Sequence, residues 1–304
     1  MTVDTPQPLY DMGYIILQYG QLDYTLQCIQ SIRANTPPAT YHIVVVDNCS
    51  PDDAYQKICQ LTQEDSDVTV LKTLGNIGFA RGNNLGYDFL RKKCRFICIL
   101  NSDVELLEPG FVQQVEATYR EHPFGVMGPY IHLPAIKRAE WLMSDIGTWK
   151  QEKKRLAVKR RNAWIAYLGL NELRYRLGRI VHKHESPESK DYEEFKNEEA
   201  RQFHKNRVLN GCCLIFSSDY LQKMEHAFDP RTFFYGEEQL LYVMVRQAGM
   251  DTVYQPSIRV NHYRFVSTDA AMKRHRKICF QWKNSVFAQK LLVQKLAEMQ
   301  RHKE

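Results

Sequence analysis

Four short apolar runs, GYIILQY (13–19), YHIVVVD (41–47), DVTVLK (67–72) and CRFICIL (94–100), alternate with segments of another period. DYTLQCIQSIRAN (23–35) places Leu26, Ile29 and Ile32 three apart, with Asp23 as the expected N-cap and Pro37-Pro38 beyond the end. DDAYQKICQL (52–61) repeats Ala54, Ile58 and Leu61 at i, i+4 and i+7, and a Gly/Asn-rich turn leads into a further helix ending near Lys93. Apolar runs bounded by turn signals read as buried strands, and the intervening spacing reads as helix. Strands alternating with helices predict an α/β fold with a mainly parallel sheet covered on both faces. Ligands bind such sheets outside the carboxyl ends of the strands. That rule directs attention to Tyr19 and Gly20, Asp47-Asn48, Gly75-Asn76 and Asn101-Ser102-Asp103.

The rest of the chain departs from this rhythm. Lys137 to Lys205 is charge-rich: Lys150 to Lys183 carries eleven Lys and Arg against two acids, and the balance reverses from Glu185 to Glu199. Trp164, Ile165, Leu168, Leu170, Leu173 and Leu177 are interleaved with those basic residues. A basic amphipathic run suits a surface of anionic lipid; it also suits a helical insertion packed on the core with a solvated face. VLNGCCLIFS (208–217) reads as a strand, and a long helix is expected from Thr268 onward, with Ile278, Trp282 and Val286 four apart.

A chain of 304 residues with 44% hydrophobic and 12% aromatic residues can bury a sizeable core, which excludes a disordered protein. No run approaches the roughly 18–20 apolar residues of a membrane span. MTVDTPQPLYDMG lacks the basic start and apolar centre of a signal peptide. The expectation is a cytoplasmic protein, peripheral at the inner membrane face under the lipid-surface reading. The eight cysteines lie mostly in apolar runs and read as reduced core thiols, without the spacing of a zinc site.

Five motifs carry chemistry. In VVVDNCSPDD (44–53), Asp47 at a strand end can accept from a nucleobase or ribose, while Asp-Asn-x-Ser is also good turn chemistry. LGNIGFARGNN (74–84) offers a close backbone approach and a helix N-terminus to an anion. Its glycines match neither GxGxxG nor a P-loop, so a dinucleotide oxidoreductase or an NTPase is not supported. In ICILNSDVEL (97–106), Asp103 leaves a buried strand where a charge is costly unless paired, solvated or metal-bound. SIRVNHYRF (257–265) adds His262, a structural residue or a metal ligand. In TFFYGEEQLLYVMVRQAG (232–249), Glu237 and Glu238 open an apolar helix; first-turn acids suit the helix dipole, and either could take a proton.

Taken in chain order, with NGCCLIFSSDYL between ICILNSDVEL and TFFYGEEQLLYVMVRQAG and with SIRVNHYRF last, these motifs resemble the family 2 glycosyltransferases of GT-A fold, in particular the bacterial rhamnosyl- and capsular-polysaccharide transferase branch. The resemblance covers roughly residues 12 to 135 and 207 to 266. It implies one GT-A domain over residues 1–304, with 137–205 as a charged helical insertion at the acceptor or membrane-surface region. It implies a metal-dependent, inverting transfer of a sugar from a UDP- or dTDP-linked donor to a hydroxyl of a glycan or lipid-linked glycan in surface polysaccharide synthesis. Tyr19, Asp47, Ser50, Asn76, Gly78, Asn84 and Ser102 would bind the donor, and Asp103 with His262 would hold Mg²⁺ or Mn²⁺. Glu238 would be the catalytic base, with Glu237 orienting the loop and supporting the helix start. Asn101 replaces the first acid of the family's Asp-x-Asp, and Leu240 stands where some relatives carry another acid.

Other functions remain in view. A nucleotidyltransferase wants a Gly-rich basic loop after the first strand, which LQYGQLDY does not supply. A non-catalytic protein of this fold would not need Asp103, Glu238 and His262 together. Nucleic-acid binding is not expected, because the aromatics of the basic insertion sit in apolar helical runs.

Overall fold

The structure, a computed structural model, describes residues 8–136, 138–140, 145–170, 198–264 and 274–301. Its first half follows the expected alternation: β1 (Tyr10–Gln18), α1 (Leu22–Asn35), β2 (Tyr41–Asp47), α2 (Ala54–Leu61), β3 (Val68–Lys72), α3 (Phe79–Leu90) and β4 (Cys94–Asn101). Then come β5 (Val104–Leu106), α4 (Phe111–Glu121), β6 (Val126–Leu133), β7 (Arg138–Ala139), α5 (Trp149–Tyr167), β8 (His204–Lys205) and β9 (Cys213–Phe216). The chain continues through α6 (Ser218–Lys223), α7 (Glu237–Gln247), β10 (Thr252–His262) and α8 (Arg274–Arg301).

The strands form one sheet in the order β3-β2-β1-β4-β9-β6-β10-β5, with β7 on β6 and β8 on β10. The longest ladders are parallel: β1 with β2, β1 with β4, β2 with β3 and β6 with β10. The sheet is nevertheless mixed, because β9 runs antiparallel to both β4 and β6, and β5 antiparallel to β10. Apolar periodicity reports burial, not strand direction, so the reversal left no mark in the sequence. β1 and β2 are buried on both faces, which explains their unbroken apolar runs. Alternate residues feed opposite cores: Tyr14, Ile16 and Val45 pack on one side, Ile15, Val44 and Val46 on the other. Each such side chain contributes roughly 1.5–3 kcal/mol when fully buried.

Two elements differ from expectation in ways that shape the site. Only Cys213–Phe216 of the 208–217 run joins the sheet. Asn210 Oδ1 accepts the Cys212 amide at 2.9 Å, and this turn takes residues 210–212 out of the ladder. Gly82 belongs to α3 rather than to a ligand loop; a Cβ there would lie 2.5 Å from Leu17 Cδ1, and one at Gly86 2.7 Å from Ile15 Cγ2. These glycines let α3 sit against β1. At α1 the N-cap is Gln21 in a left-handed conformation, with Asp23 inside the first turn.

The charged segment supplies α5, opened by a Thr148–Gln151 capping box. α5 packs antiparallel to α8: Gln289 Nε2 donates to Glu152 Oε2 at 2.7 Å, and His275 Nε2 to the Ala166 carbonyl at 3.1 Å. Leu173 and Leu177 of the basic run, and the start of the C-terminal helix expected at Thr268, lie outside the described residues. All eight cysteines are free thiols. Among the described residues no helix is long and apolar enough to cross a membrane.

Candidate active site

Parallel register aligns Gln18 with Asp47 and Leu17 with Asn101, so the chain leaves β1, β2 and β4 at one sheet edge. A cavity of about 920 Å³ opens there, its floor including Tyr19, Asn48, Asn76, Gly78, Ser102 and Asp103. Asn48 ties two of these loops together. Its Nδ2 donates to Asn76 Oδ1 at 3.2 Å, and its Oδ1 accepts the Ile77 amide at 3.0 Å and the Thr73 hydroxyl at 3.3 Å. Asn76 Oδ1 also accepts the Gly78 amide at 3.0 Å. Gly78 has φ 86° and ψ 175°, a region essentially confined to glycine, and a Cβ there would lie 2.4 Å from the Phe233 carbonyl.

Three residues expected to contact a donor are absent from the cavity lining. Asp47 is fully buried, with Oδ2 accepting from Gln18 Nε2 at 3.2 Å and Oδ1 from the Ser50 amide at 3.1 Å. Ser50 Oγ in turn accepts the Gly20 amide at 2.9 Å. Asn84 spends both amide atoms on the Phe228 backbone, at 2.9 Å each, joining α3 to a segment 144 residues away. In this structure these side chains hold loops in place.

Strand pairing assembles the second group. In the β5–β10 ladder His262 stands opposite Val104, and the Tyr263 amide donates to the Asp103 carbonyl at 3.1 Å. His262 Nε2 therefore lies 3.5 Å from Asp103 Oδ1, while its Nδ1 is 2.7 Å from Glu140 Oε2. Glu140 Oε1 accepts from Arg264 Nε at 3.0 Å. Burial opposes a charge on His262, but Asp103, Cys212 and Glu140 together raise it to about 12. Burial likewise works against the Glu140 carboxylate, yet His262 and Arg264 hold it below its ordinary value.

These residues fit a hard divalent cation. A carboxylate on imidazole Nδ1 fixes the ring so that Nε2 faces the metal. Cis ligands about 2.1 Å from an octahedral ion lie about 3 Å apart, close to the Asp103–His262 spacing. Glu140, Cys212 and His262 also offer donor atoms within 4.8 Å of one another. That trio is the poorer set for Mg²⁺ or Mn²⁺: burial pushes the Cys212 thiol up to about 12, Glu140 is engaged by two cationic partners, and thiolate suits softer metals.

The paired acids enter through a sharp bend, Tyr235 at φ 72° and Gly236 at φ 87°. Glu237 and Glu238 then occupy the first turn of α7, with no side-chain cap. Glu237 is 4% exposed, its Oε1 has no hydrogen-bond partner, and burial followed by the Glu238 charge raises it to about 8. Burial thus favours its neutral form. Glu238 lines the cavity beside Gly211, where a Cβ would fall 2.9 Å from its Oε1. Burial and the Glu140 charge raise Glu238, while its own amide and that of Gly211 draw it back. Leu240 is fully buried against α8 and takes no part in the site.

α5 and α8 roof the cavity with Lys159, Phe280, Ser285 and Gln289, beside Phe233, Phe234 and Tyr235. Sequence reasoning singled out Glu237, Glu238, Asp103 and His262, and the structure gathers all four at one cavity with Tyr19, Asn76, Gly78 and Ser102. It overlooked Glu140, Gly211 and Lys159, and took Asn48 only as a strand-end turn residue. Asn48 had a signal, its place at the strand end beside Asp47. Glu140 had none, since only the return of β7 along β6 brings it to His262.

A family model described as glycosyl transferase family 2 matches residues 14–174, more than half of the chain. No curated protein matches the sequence. Among solved structures, S. aureus TarS is similar at 14% identity and TM-score 0.53, over 83% of this chain and 36% of that one. TarS 1-349 in complex with UDP-GlcNAc aligns at 13% identity and TM-score 0.53, over 95% of this chain and 71% of that one. GalNAc-T7 with UDP, GalNAc and Mn2+ aligns at 13% identity and TM-score 0.55, over 84% and 44%. The chain thus spans about a third of full TarS and under half of GalNAc-T7. At these identities the likeness is one of fold, the GT-A arrangement of a mixed sheet flanked by helices.

Proposed function

The chain belongs to glycosyl transferase family 2, and from that premise we propose an inverting transfer of a sugar from a nucleoside-diphosphate donor to an acceptor hydroxyl, with Glu238 as base. The single observation carrying this reading is the shared cavity of Glu238, Asp103 and His262. UDP in the GalNAc-T7 structure and UDP-GlcNAc in the TarS 1-349 structure support a UDP- or dTDP-linked donor here. Tyr19, Asn76, Gly78 and Ser102 line its place; Asp47 and Ser50 brace the loop beneath.

Glu238 accepts the acceptor's proton at a carboxylate oxygen as the hydroxyl oxygen attacks the anomeric carbon. Burial favours the neutral form of Glu237, which adds no second negative charge beside the base. Asp103 and His262 would hold Mg²⁺ or Mn²⁺, which would supply Lewis-acid neutralisation of the departing diphosphate. Glu140 orients the His262 ring, and Gly211 leaves room for the Glu238 carboxylate. The acceptor is a glycan or lipid-linked glycan, and the resemblance to the rhamnosyl- and capsular-polysaccharide branch supports surface polysaccharide synthesis. The exposed face of α5, with Lys154, Arg161, Trp164 and Leu168, supports a peripheral contact with anionic lipid.

The test is a thermal-shift panel of UDP, dTDP, GDP, CDP and ADP, each with and without Mn²⁺. One nucleotide should stabilise the protein only with metal, by about 2.7 kcal/mol at a hundredfold excess over Kd. No response to any nucleotide would overturn the transferase reading.

A further inference from the structure

The cavity carries a cation that the reading above leaves unused. Lys159 projects from the buried side of α5, the side that also carries Leu156, Ala163 and Ala166. α5 is pinned to α8 on either side of it, through Glu152–Gln289 and Ala166–His275. A lysine at a surface normally carries its ammonium group out to water. Lys159 instead lines the cavity, and among the described residues it makes no hydrogen bond or ion pair. The carboxylates nearby are otherwise engaged: Glu152 with Arg155, Gln289 and Gly147, and Glu140 with His262 and Arg264. Burial lowers the Lys159 pKa, the Glu152 charge opposes the fall and Arg155 adds to it.

An ammonium ion drawn from water without a partner costs free energy, which an anionic occupant returns. The roof that presents Lys159 also presents Phe280 and Ser285, near Phe234 and Tyr235, an aromatic wall with polar points suited to a sugar ring. The proposed donor diphosphate is already provided for at Asp103 and His262. We propose that Lys159 is the anion-recognising end of an acceptor subsite, and that the accepting sugar carries a phosphate group. A compact ammonium charge is a well-suited phosphate partner. This rests on the transferase reading, with Lys159 acting in acceptor recognition and not in proton transfer.

Two sources offer this chemistry, a plain sugar phosphate and a sugar diphosphate borne by a lipid. The experiment uses the full chain loaded with UDP and Mn²⁺, and titrates N-acetylglucosamine, its 1-phosphate, its short-chain prenyl diphosphate and glucuronate. The wild type should bind a phosphorylated probe about ten- to a hundredfold more tightly than the neutral sugar. Lys159→Met should erase that difference and Lys159→Arg retain most of it, with UDP–Mn²⁺ affinity unchanged in both. Tighter binding of the prenyl diphosphate assigns the phosphate to a lipid carrier, and equal binding to a sugar ester; either supports the subsite. Equal affinity for phosphorylated and neutral probes overturns the proposal, as does glucuronate binding as tightly as the phosphate. If Lys159→Met weakens UDP–Mn²⁺ instead, Lys159 serves the donor and the acceptor subsite is wrong. A wild type that binds neither UDP nor any other nucleotide of the panel with Mn²⁺ fails the underlying transferase reading, which sets that failure apart from the others; where another nucleotide of the panel binds, it replaces UDP in the titration. Lys159→Arg, together with thermal unfolding of each variant, keeps the result readable if Lys159→Met folds poorly.

Discussion

On the floor of the cavity and in the loops beneath it, polar side chains answer one another: Asn48 links Asn76, Ile77 and Thr73, Asp47 links Gln18 and Ser50, and Ser50 holds Gly20. Under the roof they do not. Glu237 Oε1 and Gln239 Oε1 have no hydrogen-bond partner, and Lys159 makes no ion pair among the described residues. Within this network only Gln18 Oε1 lacks a partner, and hydrogen bonds so nearly complete keep their shape whether or not a ligand is present. Buried polar groups left open cost stability, and two of them, Glu237 Oε1 and Gln239 Oε1, lie in the first turn of α7 at the cavity. The difference suits a floor prepared for one fixed ligand and a roof whose polar groups await another.

The sharpest way to break that division is at α7. Glu238→Gln should lower the transfer rate by about 10²–10⁴ while metal-dependent nucleotide binding persists; initial rates beside a thermal-shift titration check this. Full activity in the variant would remove Glu238 as base. The neighbouring acid tests the cost of an open polar group. The folded value of Glu237, about 8, lies above its ordinary 4.5, so the neutral acid favours the fold. That contribution is complete below about pH 4.5 and lost as pH rises through about 8. Glu237→Gln should flatten this decline, by an amount on the order of a few kcal/mol between pH 5 and 9, measured by urea unfolding at both values. Equal pH dependence in variant and wild type would show that Glu237 is not the group responsible.

On the floor the expected effects are structural. Gly78→Ala forces a conformation foreign to L-residues and a contact with the Phe233 carbonyl, so it should cost about 1–3 kcal/mol of stability. An unchanged urea midpoint would mean that the 74–78 loop is less constrained than its hydrogen bonds indicate. Between floor and roof, Glu140→Gln should weaken Mn²⁺-dependent nucleotide binding by about 10–100-fold and leave metal-free binding alone. Calorimetric titration with and without Mn²⁺ separates the two.

Much of the floor could be read before the fold was known. The strand ends at Asp47, Asn76 and Asn101–Asp103 lie where helix and strand periods meet, and a parallel sheet must bring such ends together. The acids at 237–238 were legible as a pair, because adjacent carboxylates at a helix start are visible in any sequence. Their difference was not legible. Both line the cavity and burial raises both, but Glu237 is buried with an unpartnered Oε1 while Glu238 is half-buried and draws on the Gly211 amide, and nothing in the letters Glu-Glu separates them. Asn84 misled for the same reason: its motif suggested a ligand, and its amide instead closes on the Phe228 backbone.

By itself the sequence determined the alternating strands and helices, the sheet edge where polar residues gather, and the motif order shared with family 2. These depend on local period and composition, which a linear chain carries. Tertiary structure alone decided that β9 runs against its neighbours, that Glu140 braces His262, that Gly211 makes room for Glu238, and that α5 and α8 close over the cavity with Lys159 inside. Each of these is a contact between residues distant in the chain. Strand direction, burial and charge environment at such contacts come from how the elements pack, which no local period encodes.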